Sequence, residues 1–143
     1  GLLNSLSGVV ITEVGLLVPF AFVILVPFFE YQPADMEEAA RIDGCTRFSA
    51  FLRVALPLSA PGLAACGSIV FIVSWHELLV PLVLVSRPEM MTLPVVLASL
   101  VGEWVFFNLI MATALLALLP SVVLVLLLQR YVVAGLSAGA VKG

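Results

Sequence analysis

His76 and Glu77 stand side by side in an otherwise apolar run, directly after Ser74 and Trp75. An imidazole next to a carboxylate can relay a proton, hold a metal or assist a serine nucleophile. The zinc reading fails on spacing. His76-Glu77 opens an H-E-x-x-H pattern, but its fifth position is Val80 and His76 is the only histidine, so two ligands on one helical face are missing. Ser74 or Ser99 could partner His76 in a hydrolase, yet neither lies in a nucleophile elbow and no oxyanion-hole signature accompanies them. Cys45 and Cys66 show neither metal-ligand nor disulfide spacing. No G-x-x-x-x-G-K-[ST] loop is present, and the one lysine is Lys142, so the chain cannot handle ATP by itself. An enzyme, a metal and a cofactor are therefore not expected. Binding remains. Ionisable residues in an apolar span face a bundle interior or an aqueous cavity, where Trp75 could stack on a ligand's ring; the alternative is a rim position with Trp75 in the interfacial belt. Asn108, with Glu103 and Trp104, could line the same outer mouth.

The scaffold for these residues follows from composition. Apolar residues make up 63% of the chain and charged ones 10%, with a mean hydropathy of +1.26, far from the balance of a soluble domain. Three apolar runs, Val9 to Phe29, Leu63 to Val85 and Phe106 to Leu128, each approach the ~20 residues that cross a bilayer. Pro19 and Pro27 are expected to kink the first, with Glu13 at its outer rim, and Pro81 to bend the outer part of the second. Leu93 to Val101, with Pro94 at its second position, is too short to span and reads as re-entrant or interfacial. Gln129-Arg130-Tyr131 marks the exit of the third run. The predicted fold is all-α, a polytopic transmembrane helical bundle of three spans forming one domain over 1–143.

Between the first two runs lies a polar island, Glu30 to Pro57. Pro33 suits a first helical turn, Asp35, Glu37 and Glu38 suit the positive end of the helix dipole, and Gly44 suits the residue just past the end. The spacing predicts a short helix over Pro33 to Asp43. Thr46 can cap a second one, with Phe48, Phe51, Leu52 and Ala55 on one face, lying along an interface until Pro57 and Pro61 stop it. Arg41, Arg47 and Arg53 lie in this island, Arg87 alone between the second and third runs, and Arg130 and Lys142 after the last. With three spans that bias puts the island and the C-terminus in the cytoplasm. So few bases offer no nucleic-acid surface.

Glu38-Ala39-Ala40, three residues, Gly44, nine residues, then Val54-Ala55-Leu56-Pro57 resembles the EAA loop of permease subunits of ATP-binding-cassette importers, E-A-A-x3-G-x9-I-x-L-P, with Val54 in place of Ile. Ser74-Trp75-His76-Glu77 and the ending Gln129-Arg130-Tyr131 through Gly143 resemble the carbohydrate-import branch. The resemblance implies a coupling helix that docks on a cytoplasmic ATP-binding subunit through Glu37, Glu38, Ala39, Ala40, Asp43, Gly44, Leu56 and Pro57. It implies a second permease subunit, an extracytoplasmic solute-binding protein, a site in the cytoplasmic (inner) membrane, and a sugar or polyol moved by alternating access. Trp75, His76, Glu77 and Asn108 become candidates for the solute path. The chain opens on Gly1 and reads as the C-terminal half of a larger permease. Two departures stand out: the family often has Asn at the place of His76, and Arg-Gly at the place of Val26-Pro27. The competing reading is a membrane scaffold that binds an ATPase without transporting anything.

Overall fold

Among the described residues every regular element is helical, in the order α1 Leu6–Glu30, α2 Ala34–Ile42, α3 Arg47–Ala50, a π-helical turn Phe51–Ala55, α4 Leu56–Leu58, α5 Ala60–Trp75, α6 Leu79–Leu84, a 3₁₀ turn Pro88–Met90, α7 Leu93–Val101 and α8 Phe107–Ala140. The computed structural model describes residues 2–30, 32, 34–101 and 107–140, with backbone alone for Ala34 and 130–140. Pro33, Glu103 and Trp104 lie outside the described residues, as do the side chains of Arg130 and Tyr131.

The chain is an all-α membrane protein. α1 has 25 residues, about 37 Å at the ~1.5 Å rise of a helix, against a hydrocarbon core of about 30 Å. Val10, Ile11, Val14, Leu16, Phe22 and Val23 are exposed on it, so it is apolar on all sides, as a lipid-facing helix must be. It runs unbroken through Pro19 and Pro27. Phe107–Gln129 of α8 is likewise long and apolar enough to cross, in agreement with the expected third run, and the helix itself continues to Ala140. Among the described residues two helices qualify as spans by length and composition, or three if the bent pair Arg47–Leu58 and Ala60–Trp75 counts as one.

The expected continuous span Leu63 to Val85 needs correction, because α5 ends at Trp75 and α6 begins at Leu79. Pro81 explains the break. Its ring nitrogen cannot donate to the carbonyl of Glu77 and the ring crowds that carbonyl, so a straight helix is lost four residues before the proline. Glu77 then caps the start of α6: its Oε1 accepts from the N–H groups of Leu79 at 2.8 Å and Val80 at 3.2 Å.

The interfacial helix ends at Leu58, between Pro57 and Pro61 as expected, and runs one residue past the first proline. The N–H of Leu56 donates to the carbonyl of Phe51, a wider π turn directly upstream of Pro57 that shifts the bonding so that helix continues through the proline. The chain bends by 70° between Leu58 and Ala60, and Pro61 lies in the first turn of α5, where no donor is needed.

Two compact units are present, Gly1–Pro19 with Ile69–Leu127, and Phe20–Ser68 with Leu128–Gly143. In the second, the C-terminal part of α1 packs antiparallel along small residues. Cys66 Sγ contacts the Ala21 carbonyl at 3.7 Å, Phe28 covers Gly62, and Gln32 Nε2 donates to the Ala55 carbonyl at 2.9 Å and to Ser59 Oγ. Ala55, Ser59, Gly62 and Cys66 are all buried. Small side chains let two apolar helices approach closely, and the buried hydroxyl and amide satisfy each other. In the first unit Asn4 pins the chain after α6: its N–H donates to the Leu84 carbonyl at 2.8 Å and its Oδ1 accepts from the Ser86 N–H at 2.6 Å.

Candidate coupling loop and solute path

α2 carries Asp35 and Glu37 in its first turn and Arg41 in its last, both complementary to the helix dipole. Its end is a Schellman motif. The N–H of Cys45 donates to the Ala40 carbonyl at 3.0 Å and that of Gly44 to the Arg41 carbonyl at 3.1 Å, with Gly44 at φ +90. These bonds satisfy carbonyls left over at the helix end and turn the chain back. Thr46 opens the next helix at φ −68, ψ 160, accepting from the Ser49 N–H at 3.2 Å. Glu37, Glu38, Ala39, Asp43, Gly44 and Pro57 are exposed, Ala40 and Leu56 partly covered. A recess of about 280 Å³, lined in part by Phe29, Gln32, Met36, Glu37 and Phe51, lies beside α2, and Phe29 and Phe51 stack there with centroids 6.2 Å apart.

In the other unit the structure gathers residues around the broken end of α5. Trp75 Nε1 donates to the Ala117 carbonyl at 2.9 Å, next to the Leu116 carbonyl that Pro120, having no N–H, leaves without a helical donor. His76 Nε2 lies 3.0 Å from Ser121 Oγ one turn further on. Ser74 Oγ donates to Glu13 Oε2. Phe71 and Trp75, one turn apart on α5, lie nearly parallel at 11° with ring centroids 5.7 Å apart. Phe71, Trp75, Ser74, Glu13, Glu77 and Thr92 together line a cavity of about 410 Å³.

Of the four candidates for the solute path, Trp75 and Glu77 line this cavity, whereas His76 is directed to Ser121 and Asn108 is not brought to it. Asn108 is exposed at the start of α8, nine positions before Ala117 and so about 13 Å away along the axis. Glu13 reaches Ser74 and lines the cavity. Phe71, Thr92 and Ser121 are not among the residues that sequence reasoning singles out. Phe71 has a signal in its i, i+4 spacing to Trp75; Thr92 and Ser121 have none. The described residues hold no group of three or more His, Cys, Asp or Glu that could bind a metal.

A capped polar loop, helices long and apolar enough to cross a bilayer, and a largely apolar cavity holding two carboxylates at a helix break define a multi-helix membrane protein. Residues 2–138 match the family described as binding-protein-dependent transport system inner membrane component, and the chain belongs to that family. It is 40% identical to the sulfoquinovosyl glycerol transport system permease protein of Agrobacterium fabrum, over 99% of this chain and 50% of that protein. It is 39% identical to the trehalose transport system permease protein of Mycobacterium tuberculosis, over 100% of this chain and 53% of that protein. For the diacetylchitobiose uptake system permease protein of Streptomyces coelicolor the identity is 41%, over 99% of this chain and 52% of that protein. The chain spans about half the length of these relatives, which are transport permeases rather than enzymes.

Proposed function

We propose that the chain is part of the permease subunit of an ATP-binding-cassette importer that passes a sugar or polyol across the cytoplasmic membrane. The observation that carries this reading is the exposed stretch Glu37-Glu38-Ala39 of α2, ended by the Schellman turn at Gly44, in a chain of this family. Such a stretch suits docking: Ala39 allows close approach, Glu38 offers an acceptor to a partner's arginine, and the closed turn moves as one piece. ATP-binding subunits that close on ATP would shift this loop, and through the bend at Ser59 the spans, giving alternating access in a pore formed with a second permease and fed by a solute-binding protein. Trp75 and Glu77 are the residues of the first candidate set best placed to meet the solute.

The test is reconstitution of the complete complex in proteoliposomes with a panel of neutral disaccharides. Uptake and solute-stimulated ATP hydrolysis together are expected. A complex that binds the ATPase firmly but takes up none of the panel would favour the scaffold reading.

The distribution of bases supports an orientation with the Glu30 to Pro57 loop and the C-terminus in the cytoplasm. Cysteine probes at Ser49 and Ser137 should react only from the cytoplasmic side and one at Ser86 only from outside. Labelling of Ser86 and Ser137 from the same side would sink it.

A further inference from the structure

The lining of the 410 Å³ cavity is chemically one-sided. Among the described residues its ionisable members are Glu13 and Glu77, with no Lys, Arg or His in the lining; the nearby His76 is engaged with Ser121. Both carboxylates are already held in place, Glu13 by the Ser74 hydroxyl and Glu77 by the N–H groups of Leu79 and Val80. Each carboxylate keeps acceptor capacity after these bonds. The Thr92 hydroxyl in the same lining is shut off from solvent with no hydrogen-bond partner among the described residues, and an unpaired buried hydroxyl is a group awaiting a partner. The nearly parallel Phe71 and Trp75 rings supply an extended aromatic surface, and the indole N–H is spent on Ala117, so Trp75 offers the cavity its ring and not its donor. Leu6, Val9, Val10, Leu93 and Pro94 complete an apolar wall.

We propose that this cavity, between α1, the end of α5 and the start of α7, is a solute-contact site for an uncharged, hydroxyl-rich ring, and that Glu13 and Glu77 make it reject anionic solutes. The ring's C–H face lies on Phe71 and Trp75, its hydroxyls donate to the two carboxylates, and Thr92 gains a partner. A sugar phosphate or sulfonate would place like charge beside two carboxylates against a low-dielectric wall. At about 5 Å and an effective dielectric constant of about 20, each carboxylate disfavours it by roughly two orders of magnitude. The proposal rests on the transport reading above and adds to it the contact residues and the charge of the solute.

The experiment uses the complete permease complex with Cys45 and Cys66 replaced by serine and a single reporter, Val10→Cys, at an exposed residue of the cavity lining. Its reaction rates with a cationic and an anionic methanethiosulfonate are compared with those of Ser99→Cys, which is exposed on α7 outside the lining. The cation-to-anion rate ratio should be higher at Val10→Cys, and Glu13→Gln, which keeps the hydrogen-bond acceptor but removes the charge, should lower it at least about threefold. Maltose, trehalose or diacetylchitobiose should slow labelling, glucose 6-phosphate should not, and Trp75→Ala should abolish that protection while leaving the rate ratio in place. An unreactive Val10→Cys, a ratio indifferent to Glu13→Gln, or protection by glucose 6-phosphate equal to that by the neutral sugars would overturn the site. Protection by glucosamine and by none of the neutral sugars would overturn the ligand class. Protection without uptake of any sugar would overturn the transport reading and leave the site standing; uptake without protection would do the reverse.

Discussion

A complex carrying Gly44→Val is expected to insert and assemble in the membrane yet lose solute uptake, either by releasing the ATP-binding subunit or by hydrolysing ATP without transport. The cause is confined to the backbone. Gly44 sits at φ +90, and a Cβ built there meets nothing within 4 Å, so crowding is absent and only the left-handed conformation is penalised, by about 1 to 2 kcal/mol for a residue with a Cβ. That is a factor of roughly 5 to 30 in the population of the closed turn, and both Schellman bonds depend on it. Asparagine tolerates this conformation better than other residues, so uptake should fall in the order Gly44, Asn, Ala, Val. Glu38→Lys should reach the same phenotype by another route, keeping α2 intact but setting a positive charge against a partner's arginine, a loss of about 2 to 5 kcal/mol where the pair is buried. Glu30→Lys, at the exposed end of α1, is the control. ATPase retention and uptake equal to the control in both variants would remove α2 and its turn from the coupling role.

Gly62→Ala is the second large effect, and it acts on the spans rather than the loop. A Cβ at Gly62 would overlap the Phe28 ring carbons and come within 2.9 Å of the Phe28 Cβ. These are atoms near the root of the side chain, so a swing of the ring's far end does not relieve them, and α1 and α5 must part. Overpacking of this kind costs about 1 to 3 kcal/mol, and here it also pulls Gln32 from the Ala55 carbonyl and Ser59, since those contacts lie on the same seam. The purified complex should therefore lose heat resistance in detergent, and Phe28→Ala in the Gly62→Ala background, which removes the overlapping ring carbons, should restore part of it. The coupling between the two substitutions should be about 0.5 to 3 kcal/mol in the favourable direction. Strictly additive losses would show that Phe28 does not fill the space above Gly62.

Both variants probe features that differ in how far residue order reveals them. Gly44 and Thr46 are legible because a helix end is satisfied within a few residues: the Schellman bonds join Cys45 to Ala40 and Gly44 to Arg41, and the cap joins Ser49 to Thr46. The pattern Glu38-Ala39-Ala40 with Gly44 and Leu56-Pro57 is legible for the same reason. Pro81 reads as a bend, correctly in kind but not in place, since a proline disturbs the carbonyl four residues before it and the break therefore falls at His76 to Leu78. Pro57 and Pro61 read as a stop, and the helix does end between them at Leu58; what residue order does not show is the π turn that carries it one residue past Pro57.

The all-α membrane class, the polar loop and its two caps were determined by the sequence alone, through composition and through interactions that close within a turn or two. The tertiary structure decided the rest. Ser74 finds Glu13 across 61 positions, and Trp75 finds Ala117 across 42; which residues meet depends on how each helix is rotated about its axis. In a soluble helix one apolar stripe reveals that rotation, but α1 is apolar all round and carries no such mark. The facing sides are chosen instead by small residues that permit close approach, such as Gly62 under Phe28, and by the few polar groups that lipid cannot satisfy.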